Sequence, residues 1–241
     1  MRIAAVSDVH GNLRALEAVF ADVDRQGRFD MVVACGDHVF KGPFPAETLD
    51  LLVDRADALL EGNTDAYLSG RIDLAALLKP GHWKHALVDW TREKLGRHRL
   101  ARLEGLAFEV DCEPRPGRRA CFVHANPKNL EDSLDPEAPR GVVEGLCRGV
   151  EADILVFGHV HIPYVRRVGE LTLCDVASAG NPKDGDVRPT WTSITFDGGR
   201  WTLEQRRVSY DVDKAARDHV QSGMPAGEKL AHRLKRARYH E

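Results

Sequence analysis

Five short apolar runs, each ending in a polar loop, constrain this chain most strongly. The runs occupy residues 3–6, 31–35, 58–60, 121–123 and 154–157. Runs this short, without polar alternation, are typical of β-strands buried on both faces. Helical spacing separates the early runs, with an apolar stripe over residues 13–23 and a helix start favoured at Pro45. Strands that alternate with helices predict a layered α/β fold.

The later parts of the chain have different patterns. Residues 66–105 have helical apolar spacing, and Pro80-Gly81 is expected to break this insert into at least two helices. Short β-like runs follow at 164–168, 171–176, 191–196 and 201–208. The chain from Asp211 is expected to be helical and to close with a basic, solvated stretch at residues 229–238. The sequence shows no repeats or long linker, so one domain over residues 1–241 is predicted.

Composition narrows the class of protein. Hydrophobic residues make up 43% and charged residues 29% of the 241 residues, as in ordinary globular proteins. The formal net charge of -3 argues against a dedicated nucleic-acid-binding protein but leaves a local basic patch open. The five cysteines are odd in number and lack C-x-x-C spacing, so neither a disulfide framework nor a structural zinc site is expected. No stretch suits a signal peptide or a membrane span, which predicts a cytoplasmic protein without a membrane partner.

Polar side chains follow all five apolar runs. Loops beyond the carboxyl ends of strands converge on the ligand site in open α/β sheets. The candidate metal ligands in these loops are Asp8, His10, Asp37, Asn63, His124, His159 and His161. Carboxylate, imidazole and amide groups without thiolate suit divalent ions such as manganese, iron or zinc. Seven ligands exceed the needs of one tetrahedral ion, whereas they suit two ions that share a bridge and lie ~3.5–4 Å apart.

The loops resemble the ordered motifs of the calcineurin-like metallophosphoesterase family. The matching segments are Asp8-Val9-His10-Gly11-Asn12, Gly36-Asp37 with Gly42-Pro43, Gly62-Asn63, Val123-His124-Ala125 and Gly158-His159-Val160-His161. One such motif is weak support, but five in the family's order are strong. Residues 180–186 also resemble a loop of the small prokaryotic phosphodiesterase branch. The resemblance implies a four-layer sandwich of two mixed β-sheets flanked by helices, with the helical insert at about 66–105.

The resemblance also implies a ligand set and a reaction. The first ion would be held by Asp8, His10, Asp37 and His161, and the second by Asp37, Asn63, His124 and His159. Asp37 would bridge two ions drawn from manganese, iron, zinc, nickel or cobalt, and Asp37, Asn63 and His124 would be catalytic residues. A hydroxide bridging the two ions would attack a small phosphoester substrate.

One position departs from the family pattern. Many members have a histidine directly after Gly-Asn, which is thought to protonate the leaving alcohol, whereas this chain has Thr64. General acid catalysis is typically worth ~10²–10⁴-fold, so its loss favours diesters with good leaving groups. Asp65, which follows, is expected to orient a metal ligand.

Substrate contacts are expected from Asn12, His38, Lys41 and Lys183. Asn12 is equally suited to cap the helix that follows it. His38 and the two lysines also fit ordinary loop residues.

The sequence therefore predicts a two-metal phosphodiesterase that acts on a small or nucleotide-like substrate. Two enzymatic alternatives remain open, a protein phosphatase and a dinucleoside polyphosphate hydrolase. A third alternative is a non-catalytic, metal-bound scaffold. The pattern makes no prediction of the oligomeric state.

Overall fold

The structure is a computed structural model that describes residues 1–238. Its elements, in chain order, are β1 (Arg2–Val6), α1 (Leu13–Arg25), β2 (Met31–Ala34), α2 (Pro45–Arg55), β3 (Ala58–Leu59), α3 (Asn63–Ser69), α4 (Leu74–Leu77), α5 (Trp83–Glu104), β4 (Glu109–Arg115), β5 (Arg118–Val123), α6 (Arg140–Leu146), β6 (Ile154–Phe157), β7 (Tyr164–Val168), β8 (Leu171–Asp175), β9 (Thr190–Asp197), β10 (Arg200–Arg207), α7 (Val212–Gln221) and α8 (Gly227–Arg236).

The strands form two mixed sheets of five strands each. The first has the order β10-β9-β1-β2-β3. In it β1, β2 and β3 run parallel to one another, β9 runs antiparallel to β1, and β10 runs antiparallel to β9. The second has the order β4-β5-β6-β8-β7, with a parallel centre of β5, β6 and β8 and antiparallel edges. In both sheets the parallel strands carry the loops that the sequence singled out.

Side-chain alternation along the strands creates four layers. In β1, Ile3 and Ala5 pack in the core between the two sheets, whereas Ala4 and Val6 pack in the core that contains α1. Strands β5 and β6 alternate in the same way, between the inner core and a core that they share with α6. Both faces of each central strand are therefore buried, as the uninterrupted apolar runs predicted. The predicted sandwich of two mixed sheets flanked by helices is confirmed.

Several element boundaries follow from local chemistry. Pro45 occupies the first turn of α2, where its missing N–H costs no helical hydrogen bond. The insert is divided between α4 and α5 at Pro80-Gly81, as predicted, and Gly96 kinks α5. Strand β4 was missed because it is an edge strand whose residues are mostly exposed, so it lacks an apolar run.

Two further expectations concern the chain as a whole. In residues 1–238, no helix combines the length and apolar character needed to cross a membrane. The single domain over residues 1–241 stays a prediction, and its last three residues lie outside the described part of the chain.

The inner core makes a testable contribution to stability. Val156 is fully buried between the sheets, whereas Val165 on edge strand β7 is 50% exposed. We expect Val156→Ala to lower the free energy of unfolding by about 2 kcal/mol, because it removes buried apolar surface and leaves a cavity. The matched variant Val165→Ala should change it by less than about 0.5 kcal/mol. Urea unfolding followed by circular dichroism measures both, and equal losses would contradict this layering.

Candidate metal centre

The loops after the parallel strands bring all seven predicted ligands together. Asp8 and His10 follow β1, Asp37 follows β2, Asn63 begins α3 after β3, His124 follows β5, and His159 and His161 follow β6. The nearest nitrogen and oxygen atoms of neighbouring members lie 3.0–3.9 Å apart. The cluster sits at the carboxyl ends of both sheets, where strand polarity predicted it.

An uncommon backbone conformation turns these loops inward. Asp8, His10, Asp37, His159 and His161 all have positive φ, between 51° and 69°. Aspartate and histidine enter this left-handed region more readily than most residues, yet it remains strained. Gly158 adds a close approach, because a Cβ there would overlap the side chains of Ser7 and Asp8. Packing against neighbouring loops therefore holds the polar side chains in place against local backbone preference.

Backbone carbonyls orient three of the histidines. The paired atoms are His10 Nδ1 with Phe40 O at 2.9 Å, His124 Nδ1 with Cys35 O at 2.8 Å, and His161 Nδ1 with Asn181 O at 2.6 Å. Because a carbonyl oxygen only accepts, each Nδ1 carries the hydrogen and donates it. Each Nε2 therefore presents a lone pair to the centre when the ring is neutral.

His159 has the opposite orientation. Its Nε2 donates to the carbonyl of Glu131 at 3.1 Å, and its Nδ1 lies 3.2 Å from His124 Nε2. A second pair of nitrogens, His10 Nε2 and His161 Nε2, is also 3.2 Å apart. Lone pairs that face each other at this distance repel unless a cation or a proton lies near both. The two histidine pairs therefore fit a site for positive ions.

Asp8 leaves one oxygen directed into the same space. Its Oδ2 accepts hydrogen bonds from Ser7 Oγ at 2.7 Å and from the His159 N–H at 2.8 Å. Its Oδ1 is buried and accepts no hydrogen bond within residues 1–238, and His161 Nε2 lies 3.0 Å away. A buried carboxylate oxygen without a donor is costly, and a metal ion would satisfy it.

Asp37 lies between the two histidine pairs. Its Oδ2 is 3.5 Å from His10 Nε2, and its Oδ1 is 3.5 Å from His124 Nε2. The backbone N–H of Thr64 donates to Oδ1 at 2.9 Å. Asp65 fixes the backbone beneath, because it accepts from the N–H groups of Asp37 at 2.8 Å and His38 at 3.1 Å. The two Asp37 oxygens thus face opposite halves of the cluster.

Asn63 is oriented by a residue that the sequence did not indicate. Its Nδ2 donates to Tyr67 Oη at 3.1 Å and to Glu131 Oε2 at 3.3 Å. Tyr67 in turn donates to Glu131 Oε1 at 2.6 Å. This arrangement leaves Asn63 Oδ1 facing His124 Nε2, 3.3 Å away. Glu131 belongs to no recognisable motif, so only the folded loop reveals its contact with Asn63.

Protonation states in the cluster mostly suit metal ligands. Burial lowers the pKa of His159 to about 4, with repulsion from His124 acting in the same direction. Burial and the nearby Lys41 also lower the pKa of His10. Burial alone would raise the pKa of Asp37, but attraction to His124 and Lys41 and the hydrogen bond from the Thr64 N–H together lower it. His124 is the exception, since Asp37 and Asp8 raise its pKa against the effect of burial. Neutral imidazoles and charged carboxylates are the forms that bind metals.

The ligand atoms satisfy a simple geometric condition for metal binding. Among residues 1–238, two sets of three buried groups have ligand atoms within 4.8 Å of one another. One set is Asp8, His10 and His161, and the other is Asp8, Asp37 and His124. Their oxygen and nitrogen donors suit divalent first-row ions. The residues present therefore fit the metal that the sequence pattern implied.

A cavity of about 380 Å³ opens beside the cluster. Its walls combine four proposed ligands with residues from the insert, the loop after β8, and α8. They include Asp37, Asn63, His159, His161, Lys41, Trp83, Lys84, Asn181, Lys183, Leu230, Arg233 and Arg238. The insert and the loop at residues 180–188 thus border the site.

The four expected substrate contacts separate into two groups. Lys41 and Lys183 line the cavity. Asn12 lies outside this lining and caps α1, because its Oδ1 accepts from the Ala15 N–H at 3.3 Å. His38 is fully buried behind Asp37, with its Nε2 2.8 Å from the carbonyl of Leu60. The structure therefore brings the lysines to the cavity and gives Asn12 and His38 structural contacts.

The position of Arg233 shows that one expectation about the basic stretch at residues 229–238 was wrong. Residues 229–238 were expected to be solvated, yet Leu230 and Leu234 are buried and Arg233 reaches the cavity wall. Burial and repulsion from Lys41 and Arg233 lower the pKa of Lys183 to about 8. The spacing of Leu230 and Leu234 within the basic run was the available signal that one helical face is buried.

Comparisons with known proteins agree with this geometry. The family model of the calcineurin-like phosphoesterase superfamily domain matches residues 1–198. An uncharacterised protein of Methanocaldococcus jannaschii is 30% identical over 247 aligned positions, covering 95% of this chain and 96% of the relative.

Two solved structures are similar over nearly the whole chain. A metallophosphoesterase from Sphaerobacter thermophilus is 26% identical with a TM-score of 0.80, covering 98% of this chain and 99% of that one. A hypothetical protein from Pyrococcus horikoshii OT3 has a TM-score of 0.84 at 19% identity, covering 99% of each chain, and shows the same fold. These matches agree with the ordered motifs and with a site whose geometry fits a metal. The chain therefore belongs to the calcineurin-like phosphoesterase superfamily and is a metal-dependent phosphoesterase.

Proposed function

We propose that this phosphoesterase uses two divalent metal ions, bridged by Asp37, to hydrolyse diesters of small or nucleotide-like substrates. The observation that carries the proposal is the position of Asp37, whose two oxygens each lie 3.5 Å from a different histidine pair. A single ion would leave one of these pairs, with its facing lone pairs, unsatisfied. Two ions with a shared carboxylate satisfy both.

The proposed ligand sets are those that the family resemblance implies, and the contacts support them. The first ion would be held by Asp8, His10, Asp37 and His161, and the second by Asp37, Asn63, His124 and His159. When bound, the ions would activate a water for attack near neutral pH and offset the charge of the transition state. Manganese is the first ion to test, with iron, zinc, nickel and cobalt also compatible with these ligands.

The chain's own residues orient the ligands and surround the substrate. Backbone carbonyls fix three imidazoles, Asp65 fixes the Asp37 backbone, and Glu131 fixes the amide of Asn63. Such outer contacts are typically worth 10–100-fold in metal affinity or activity, an order-of-magnitude range. Lys41 and Lys183 lie in the cavity wall, where a phosphoryl oxygen would meet them. The cavity, at about 380 Å³, supports a small substrate better than a folded protein substrate.

The preference for diesters with good leaving groups rests on Thr64. The Thr64 side chain is buried, and its N–H holds Asp37 rather than a substrate atom. Within residues 1–238, the histidines that line the cavity are His159 and His161, and both are proposed ligands. No imidazole is therefore left in this lining to protonate a departing alcohol.

The alternative of a metal-bound scaffold predicts ion binding without turnover. The assays below separate a scaffold from an enzyme.

Asp37→Asn tests the bridge. Replacing one charged oxygen by an amide nitrogen should lower kcat/KM for bis(p-nitrophenyl) phosphate with manganese by at least about a hundredfold, because both ions lose a ligand charge. Asp54→Asn, an exposed change of the same chemistry on α2, should leave the rate within about twofold. Activity that survives both Asp37→Asn and chelation with EDTA would refute the two-metal proposal, and two bound ions without turnover in the wild type would favour the scaffold.

The leaving group should control the rate. We expect kcat on a series of aryl methyl phosphates to fall steeply as the pKa of the phenol rises, because the leaving oxygen departs without a proton from an imidazole. The matching aryl phosphate monoesters should be hydrolysed more slowly than the diesters. Release of the phenol measured across the series checks both statements. A flat dependence would show that a general acid acts here, and faster monoester hydrolysis would reverse the proposed substrate preference.

A further inference from the structure

A group of cationic side chains, here called the cationic rim, lines the cavity. Its members are Lys41, Lys84, Lys183, Arg233 and Arg238. They come from four separate parts of the fold: the loop after β2, the start of α5, the loop after β8, and α8 with the residues after it. Segments distant in sequence thus place positive charge around one cavity.

The cationic rim outnumbers the carboxylates that line the cavity, which in residues 1–238 are Asp135 and the proposed ligand Asp37. Within residues 1–238, none of its five members forms an ion pair, although arginines elsewhere do so, as Arg99 does with Asp50 at 2.5 Å. Among the described residues, Lys183 Nζ donates to the amide oxygen of Asn181, at 2.6 Å. The Nε of Arg233 is buried and has no hydrogen-bond partner in the described part of the chain. A buried guanidinium nitrogen without an acceptor is costly, which points to a ligand that supplies one.

The charges also crowd one another. Burial and repulsion from Lys41 and Arg233 lower the pKa of Lys84, although the charges of Glu131 and Asp37 act in the opposite direction. Two dications in the proposed centre would already outweigh the charges of Asp8 and Asp37. A simple phosphodiester carries a single negative charge, so after its contacts with the centre and with Lys41 and Lys183 it would leave Lys84, Arg233 and Arg238 without a counter-charge. Their concentration fits a ligand that carries more negative charge than the scissile group alone.

We propose that the cationic rim binds a second phosphoryl group, so that the preferred substrates are phosphoesters with at least one further phosphate. Nucleoside polyphosphates esterified on the terminal phosphate have this chemistry, and their terminal phosphate carries two substituents, as a diester does. Arg233 is the central contact, because a guanidinium can hold phosphate through two parallel hydrogen bonds. This inference rests on the proposed function for the site of cleavage, but the cationic rim can be tested without catalysis.

Binding of inorganic anions to the metal-free protein tests the cationic rim directly. We expect isothermal titration calorimetry to show tighter binding of tripolyphosphate than of orthophosphate to the wild type. Arg233→Gln and Lys183→Gln should each weaken tripolyphosphate binding roughly tenfold or more, as for a lost charged hydrogen bond.

Lys235→Gln provides the matched control. It removes one positive charge from the same helix, but Lys235 is about half exposed and pairs with Asp213 at 2.8 Å, away from the cavity. Its effect on tripolyphosphate binding should stay within about twofold. Equal weakening of binding by Lys235→Gln and Arg233→Gln would show that only the overall charge of the protein matters, and it would overturn the proposal. Equal affinity of the wild type for tripolyphosphate and orthophosphate would overturn it as well.

A matched pair of esters tests whether the cationic rim affects turnover. The p-nitrophenyl esters of a nucleoside 5′-monophosphate and of its 5′-triphosphate, joined at the terminal phosphate, differ only in the number of phosphoryl groups. With manganese, Arg233→Gln should raise KM for the triphosphate ester roughly tenfold and leave the monophosphate ester nearly unchanged, with products separated by ion-exchange chromatography. Equal changes for both esters would overturn the inference. If the wild type cleaves neither ester, the proposed function fails, while the calorimetry still decides whether the cationic rim binds phosphate.

Discussion

The structure depends on one electrostatic constraint, the burial of two carboxylates among four imidazoles whose lone pairs face one another. Within the described part of the chain Asp8 Oδ1 has no hydrogen-bond donor, and two pairs of imidazole nitrogens approach to 3.2 Å. Such groups are costly to bury without positive charge between them. Bound metal ions would remove this cost, and part of their binding free energy would then stabilise the fold. The strained loops that follow the strands are best understood as the framework that holds this arrangement before a metal binds.

The fold provides that framework through strand polarity and a small number of buried anchors. Parallel strands in both sheets end at the same edge, so that short loops can aim side chains from distant parts of the sequence at one point. The positive φ angles of Asp8, Asp37 and His159 bend those loops inward, and Asp65 holds the Asp37 backbone through buried hydrogen bonds. Rigid elements therefore position the proposed ligands, which is what a preorganised catalytic site requires. The insert and α8 only border the cavity, so changes in their sequences can alter the substrate preference without disturbing the metal centre.

Local signals in the sequence predicted a layered α/β fold and the clustering of the ligands, whereas the sandwich of two mixed sheets was predicted from the family resemblance. Asp8, Asp37 and His124 each lie within two residues of the end of an apolar run, and the shared polarity of the parallel strands brings them to one edge. Glu131 and Arg233 could not be predicted in the same way, because long-range packing alone brings them to Asn63 and to the cavity. Edge strand β4 was missed since exposed alternation is a weak signal in one sequence. His38 stood beside a ligand in the sequence, but its side chain turns into the core, so adjacency in the chain gave no information about direction.

The central claim is that two ions lie on either side of Asp37. Crystals of the protein soaked in manganese, with diffraction recorded on both sides of the manganese absorption edge, test it most directly. The account predicts two anomalous peaks ~3.5–4 Å apart, one within coordination distance of His10 and His161 and the other of His124 and His159, with Asp37 between them. A single peak at saturating manganese, or two peaks that Asp37 does not bridge, would contradict it.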